Sequence, residues 1–151
     1  MTAALWPSVG RADTEFQGLH LDYALGGATG DHSGVRHNLD FAVMAGSFPE
    51  GTGMKSRTGW IAGGSIATGL GVYPTYFCAP EVGVAWTEVF GFPALGAVAG
   101  PALRVDPTGF GGGLRADFAL FIHVGVRALA VVDPDGNGEL QVTGMVGFGR
   151  F

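Results

Sequence analysis

Apolar residues alternate with small or polar residues along most of the chain from residue 16 to residue 148, between short stretches of turn-forming residues. In the segment 18–25 every odd position is Leu or Tyr, whereas the even positions include His20 and Asp22. Side chains of a strand point alternately to its two faces, so this segment predicts a strand with one apolar and one polar face. Seven more segments show such a pattern, at about 36–48, 58–73, 81–92, 94–106, 112–121, 123–132 and 139–149. The sequence therefore predicts an all-β fold, an antiparallel up-and-down barrel of eight strands.

The second face of these strands is built from Gly, Ala, Ser and charged residues. Small side chains suit the crowded interior of a narrow barrel. The charged members would lie there as an ion-pair network that plugs the barrel, because a buried charge without a partner is costly. The alternative is a soluble sheet on which the same charges face water. The predicted network consists of Asp22, Asp40, Arg104, Asp106, Arg115, Asp117 and Arg127, with Glu139 on the same face of the last strand.

The connections and the aromatic residues favour a membrane barrel over a soluble one. Residues 26–35, 73–80 and 106–112 are predicted to be longer loops, whereas the turns near 91–93 and 121–122 are short, and such asymmetry is typical of outer-membrane barrels. The long connection after Phe48 is an exception. Aromatic girdles are expected at both membrane interfaces. One rim would hold Phe16, Phe48, Trp60, Phe90, Phe92, Phe121, Phe148 and Phe151, and the other Tyr73, Tyr76, Phe77 and Phe110.

Composition narrows the class of protein further. The chain has 151 residues, which suits one domain, and 14% of them are charged, below the ~25% of ordinary globular domains. The net charge is −5 and no Lys/Arg run is present, which argues against nucleic acid as a partner. Cys78 is the single cysteine, so no disulfide can form within the chain. No apolar stretch approaches the ~20 residues of a membrane helix. Residues 1–13 are interpreted as a leader or the remnant of a signal peptide, and residues 14–151 as the barrel domain.

Two groups of residues are candidates for metal binding or catalysis. Asp133, Asp135 and Asn137 have the spacing of the first oxygen ligands of a calcium loop, with a Gly at the sixth position. The twelfth position is Gly144 instead of Glu, and the segment equally predicts a hairpin turn. His20 and Asp22 share a strand face but lack any fixed ligand spacing. No catalytic motif is present, so we expect neither enzymatic activity nor a cofactor.

The last predicted strand, residues 139–151, alternates and ends on the aromatic Phe151. With the eight-strand pattern over residues 14–151, the chain resembles the small bacterial outer-membrane barrels of the OmpA- and OmpW-like group. The resemblance implies a Gram-negative outer membrane, a lipid bilayer or detergent as the surroundings, and assembly machinery that takes a terminal aromatic such as Phe151 as its signal. Phe151 is out of phase with the apolar face of this strand, which a bulge near Gly147 or Gly149 would correct.

The resemblance implies a structural or surface role, or the passage or binding of small apolar molecules. One alternative is a soluble calycin-like barrel whose apolar face points inward and holds a small hydrophobic ligand. Another is a self-associating β-protein. The membrane hypothesis requires one set of apolar residues to lie on the outside of the closed sheet: Leu21, Phe41, Val84, Phe118 and Val142.

Overall fold

A computed structural model describes residues 14–30, 33–49, 58–69, 74–89, 92–107, 109–120 and 124–150. None of these residues forms a helix that is long and apolar enough to cross a membrane. The strands are β1 (Thr14–Gly30), β2 (Gly34–Phe48), β3 (Thr58–Gly69), β4 (Thr75–Val89), β5 (Phe92–Asp106), β6 (Gly109–Leu120), β7 (Val124–Val132) and β8 (Gly138–Arg150).

The eight strands form one closed antiparallel barrel in sequence order, in which β1 pairs with both β2 and β8. This confirms the predicted fold class. Following the paired residues once round the barrel from Gln17 returns to β1 at Gly27, ten residues further along. With ordinary strand spacing and rise, this displacement tilts the strands by roughly 40° to the barrel axis. We call the end with the β1–β2 connection the upper end, and the end where β1 begins and β8 finishes the lower end.

The predicted difference in loop length between the two ends is wrong. β1 continues to Gly30 and β2 begins at Gly34, β4 begins at Thr75, and β6 begins at Gly109, so most residues of the three expected loops belong to strands. The longest connection, residues 49–57, lies at the lower end between β2 and β3. The glycines of these segments that the structure describes, and Pro80, lie within strands instead, whereas Pro74 and Pro107 lie just outside them. Loop length therefore gives no support to a membrane barrel.

β4 contains a bulge in the middle of the barrel wall. Ser65 of β3 pairs with Cys78, whereas Gly63 pairs with Glu81, so β4 has one residue more than β3 in this interval. The pairing of β4 with β5 shifts in the same place. Cys78 and Glu81 are both buried although they are three positions apart, because the two residues between them both face outward. The bulge thus changes which parity of β4 points into the barrel.

The two faces of the wall differ sharply in chemistry. Leu21 is 51% exposed on the outside, whereas its neighbour Asp22 is 6% exposed and lies inside. The outward placement required by the membrane hypothesis is found for every member of the diagnostic set, Leu21, Phe41, Val84, Phe118 and Val142. The apolar face therefore does not line the interior, and the arrangement expected of the calycin-like alternative is not formed.

The aromatic girdles are only partly as predicted. Trp60, Phe77 and Phe110 are exposed on the outer surface. Phe48 and Tyr76 are 0% and 1% exposed and point into the barrel, so their assignment to outer girdles is wrong. Both residues occupy positions of their strands at which side chains point inward. The girdle assignment considered only the height of each residue in the barrel and not the face on which its side chain lies.

Close approach of β6 and β7 makes Gly113 a position that tolerates no side chain. A Cβ atom there would overlap the backbone oxygen of Ala130, whereas the preceding residue of β6, Gly112, has open space around it. We expect Gly113→Ala to destabilise the barrel by about 1–3 kcal/mol, the usual cost of overpacking, because two paired strands must separate. Gly112→Ala is the matched control and should change stability by less than about 0.5 kcal/mol, as an ordinary surface change does. Urea unfolding measures both, and equal effects would contradict this close approach.

Candidate functional site in the barrel interior

The interior is filled by layers of side chains along the axis. At the lower end an apolar cluster is built from Ala42, Met44, Phe48, Ile61, Ala85 and Val98. Above it lies a group of charged residues that we call the central cluster: Asp22, Asp40, Glu81, Arg115, Asp117 and Arg127. A mixed layer of Ala67, Tyr76, Cys78, Ala102, Leu129 and Val131 follows. The last group, which we call the upper cluster, contains Arg36, Arg104, Asp106 and Glu139.

Arg115 is the centre of the central cluster, and its side chain is 2% exposed. Its Nη1 atom lies 2.6 Å from Oδ2 of Asp40, and its Nε atom lies 3.2 Å from Oε1 of Glu81. The guanidinium also donates through Nε to both carboxylate oxygens of Asp117, at 3.1 Å each. Nη1 donates in addition to the hydroxyl of Ser65. One guanidinium thus joins strands β2, β3, β4 and β6 across the interior.

Arg127 of β7 shares two of these carboxylates. Its Nη1 atom lies 2.7 Å from Oδ2 of Asp40, and its Nη2 atom lies 2.9 Å from Oδ2 of Asp117. Its contact with Asp22 is much longer, 4.0 Å from Nη2 to Oδ2. With every group ionised, the central cluster holds four carboxylates and two guanidiniums, and Asp22 is the carboxylate with the weakest ion pair.

The upper cluster contains two guanidiniums and two carboxylates, and Glu139 lies at its centre. Arg36 Nη2 lies 3.0 Å from Oε1 of Glu139, and Arg104 Nη1 lies 3.3 Å from Oε2. Tyr76 donates its hydroxyl to Oε2 at 3.3 Å, and Gln141 donates its Nε2 to Oε1 at 2.8 Å. Arg104 also pairs through Nε with Asp106 at 3.2 Å, and Asn38 donates to Gln141. Each charge therefore has at least one partner of opposite sign, which a dry interior requires.

A small cavity lies against the central cluster, on its lower side. It measures about 20 Å³ and is lined by two carboxyl groups, those of Asp22 and Asp117, and otherwise by Met, Ile, Val, Ala and Gly. A volume of this size is enough for roughly one water molecule. This cavity therefore offers space for a water molecule next to the two carboxyl groups.

The seven charged residues proposed from sequence as an interior network all lie inside, but they divide into two clusters. Arg104 and Asp106 belong to the upper cluster, and the other five belong to the central one. Sequence analysis missed Arg36 and Glu81 as members, although both have the inward parity of their strands. It also placed Tyr76 in a loop, because the flanking prolines conceal the start of β4.

His20 is buried on the inner face, and no group of three or more potential metal ligands occurs among the described residues.

The calcium-like segment forms the turn between β7 and β8. Asp133 accepts hydrogen bonds from the backbone N–H of Asp135 at 2.9 Å, from the backbone N–H of Asn137 at 2.8 Å and from the Asn137 side chain at 2.9 Å. These bonds, first of all that from the Asn137 side chain, lower the pKa of Asp133 below its usual value. Both oxygens of this carboxylate are thus engaged in holding the turn, in agreement with the hairpin interpretation.

The proposed assembly signal, Phe151, and the leader at residues 1–13 lie outside the described residues. The pairing of β8 with β1 continues without a register shift from Glu139 to Arg150. The bulge near Gly147 or Gly149 that would bring Phe151 into phase is therefore not formed.

No protein-family model, curated protein or solved structure matches this chain. The assignment to the OmpA- and OmpW-like group accordingly remains a resemblance.

Proposed function

We propose that this chain is a membrane-spanning β-barrel of a bacterial outer membrane, with a structural or surface role and no enzymatic activity. The observation that carries the proposal is the chemistry of the outer face. Among the described residues, twenty-four large hydrophobic side chains from all eight strands are exposed there. Every charged side chain that the structure describes within a strand points inward instead. A soluble monomer rarely exposes so continuous an apolar surface, whereas lipid-facing strands require it.

The height of the apolar surface supports the same proposal. Along the outer face of β1, the polar residues Gln17 and Thr29 flank an apolar run that contains Leu19, Leu21, Tyr23 and Leu25. The twelve-residue interval from Gln17 to Thr29, with strands tilted by roughly 40°, measures roughly 30 Å along the axis. This length is close to the hydrocarbon thickness of a bilayer, also roughly 30 Å. On the lower part of the outer face lie Trp60 and Trp86, residues that favour the membrane interface.

Of the roles that the resemblance implies, the filled interior favours a structural or surface role over passage. The central and upper clusters span the barrel, and the apolar cluster below them includes Phe48 and Ile61. An eight-stranded barrel has little room beyond its own side chains. We propose accordingly that the protein does not conduct solutes through its interior.

Insertion into lipid tests this proposal. The chain, unfolded in urea, is diluted into buffer alone, into detergent micelles and into phospholipid vesicles. We expect β-structure and a compact, faster-migrating band on unheated gels with micelles or vesicles, and aggregation in plain buffer. In vesicles the strands should also become resistant to added protease.

Two results would contradict the membrane proposal. A monodisperse folded monomer in plain buffer would support a soluble barrel. Ordered soluble oligomers that do not bind to or insert into added vesicles would support the self-associating alternative. Leakage of a small dye from vesicles that hold the folded protein would contradict the closed interior only, and would leave the membrane assignment intact.

A further inference from the structure

Two carboxyl groups face each other directly across the first pair of strands. Asp22 of β1 and Asp40 of β2 are register partners, and both side chains point into the barrel. Partners directly opposite in an antiparallel pair have Cβ atoms about 4.5–5.5 Å apart. Two ionised carboxylates at such a distance repel each other strongly where water is excluded. The register thus imposes a like-charge contact that the surrounding groups must relieve.

The neighbouring cations relieve only one side of this contact. Asp40 has guanidinium nitrogens of Arg115 and Arg127 at 2.6 and 2.7 Å. Among the described residues, the one ion-pair partner of Asp22 is Arg127, at 4.0 Å. The same guanidinium nitrogen of Arg127 lies 2.9 Å from Asp117, so most of its attraction is directed there. Asp22 is therefore a buried carboxyl group without a close counter-ion.

No other cation of the described residues lies within ion-pair distance of Asp22, because the guanidinium of Arg115 contacts Asp40, Glu81 and Asp117 instead. From β8 the nearest residue is Gly147, whose Cα is so close that an added Cβ would overlap Oδ1 of Asp22. On the lower side lies the small cavity with Met44, Val98 and Met145 in its lining. The ionisable groups that face this region are His20 on β1, Asp40 on β2, Glu81 on β4, Arg115 and Asp117 on β6, and Arg127 on β7.

We propose that the Asp22–Asp40 pair is a proton-binding site, in which one proton is held on Asp22 when the barrel is folded. Asp40 remains ionised between the two guanidiniums, and the carboxyl group of Asp22 donates a hydrogen bond, either to Asp40 or to a water molecule in the cavity. The proton removes the closest like-charge repulsion and leaves three carboxylates with two guanidiniums in the central cluster. Pairs of buried aspartates that share one proton are a known solution to this problem in other proteins.

The proposal predicts how stability depends on pH. An aspartate of the unfolded chain titrates at about 3.9, so folding takes up one proton onto Asp22 between that pH and the higher pH at which Asp22 ionises in the barrel. The stabilisation is complete below the lower of these two pH values and is lost as the pH rises towards the value at which Asp22 ionises in the barrel. In that interval the folding equilibrium constant of the wild type should fall about tenfold per pH unit relative to Asp22→Asn, which cannot ionise. Asp106→Asn, in the balanced upper cluster, is the matched control and should keep the wild-type slope.

The measurement is urea unfolding in one detergent from pH 4 to pH 9 for the three proteins, with infrared spectra at pH 5.5, above the pH at which an ordinary aspartate titrates. We expect the C=O band of a protonated carboxylic acid in the wild type and in Asp106→Asn, and its loss in Asp22→Asn. Parallel stability curves, or a wild type without this band, would overturn the proposal. A band that persists in Asp22→Asn would place the proton on another carboxyl group and would also overturn it. The infrared spectrum of the wild type tests protonation even if a variant fails to fold, and neither readout depends on which membrane the protein occupies.

Discussion

Arg115→Leu should destabilise the barrel by about 3–5 kcal/mol, the cost of breaking a buried ion pair from one side. The change removes the guanidinium that contacts the carboxylates of Asp40, Glu81 and Asp117. Leu cannot donate a hydrogen bond, so Glu81 loses the one ion pair that joins it to the cluster in the described structure. The free energy of unfolding in urea, measured with the protein in one detergent, gives the size of the loss.

A second substitution separates charge from packing in this experiment. Glu81→Gln in the Arg115→Leu background removes one of the stranded charges, and we expect it to recover part of the lost stability. Leu114→Ala is the control on the same strand, because Leu114 faces outward and is 68% exposed. A change of less than about 1 kcal/mol for Arg115→Leu, the range of an exposed ion pair, would show that the central cluster is not buried as described.

Val126→Arg should be the most damaging substitution on the outer face if that face lies in lipid. Val126 is 54% exposed on β7, near the middle of the apolar surface. An arginine at the bilayer midplane costs about 2–4 kcal/mol in a membrane barrel. The loss is measured by unfolding from phospholipid vesicles, where the depth of each residue is fixed by the bilayer.

Val132→Arg is the matched control for depth, because Val132 is 53% exposed at the upper end of the same strand. Near the interface an arginine costs only about 0–1 kcal/mol, since its charge reaches water. We therefore expect a clear difference between two identical substitutions six positions apart. Equal and small effects would indicate that the outer face is in water, and would contradict the membrane proposal independently of any gel assay.

Alternation was sufficient to predict the barrel and the inward placement of most charged residues. Asp117 and Arg127, for example, have the parity of the small-residue face on two neighbouring strands, and the structure pairs them directly. This works because the outward face of each strand is largely apolar and has no charged side chain among those described, so the register has a single arrangement that keeps charges out of the apolar surface. Which charges contact each other depends on the ten-residue displacement on going once round the barrel. The sequence of a single strand does not determine this displacement.

Glycine and proline were the main source of error. At Gly26, in the first expected loop, the backbone of the neighbouring strand lies where a Cβ would be, so glycine serves close strand packing there and not a turn. Residues 73–80 contain two prolines and read as a loop, yet β4 begins within them at Thr75. The bulge that follows gives the strand its second inward parity, and Glu81 was overlooked because the strand was taken to begin there. Local turn chemistry was thus outweighed by barrel closure.

The bulge of β4 determines where this sequence can gain or lose a residue. Deleting Ala79 would leave Cys78 and Glu81 two positions apart, and both would still point inward, because the bulge already contains one residue beyond regular pairing. Deleting Ala128 in β7, which has no bulge, would shift the residues on one side of the deletion by one position. Their inward side chains would then point outward, and their outward side chains inward. Single-residue insertions and deletions during evolution should therefore be confined to the connections and to this one interval of the described wall.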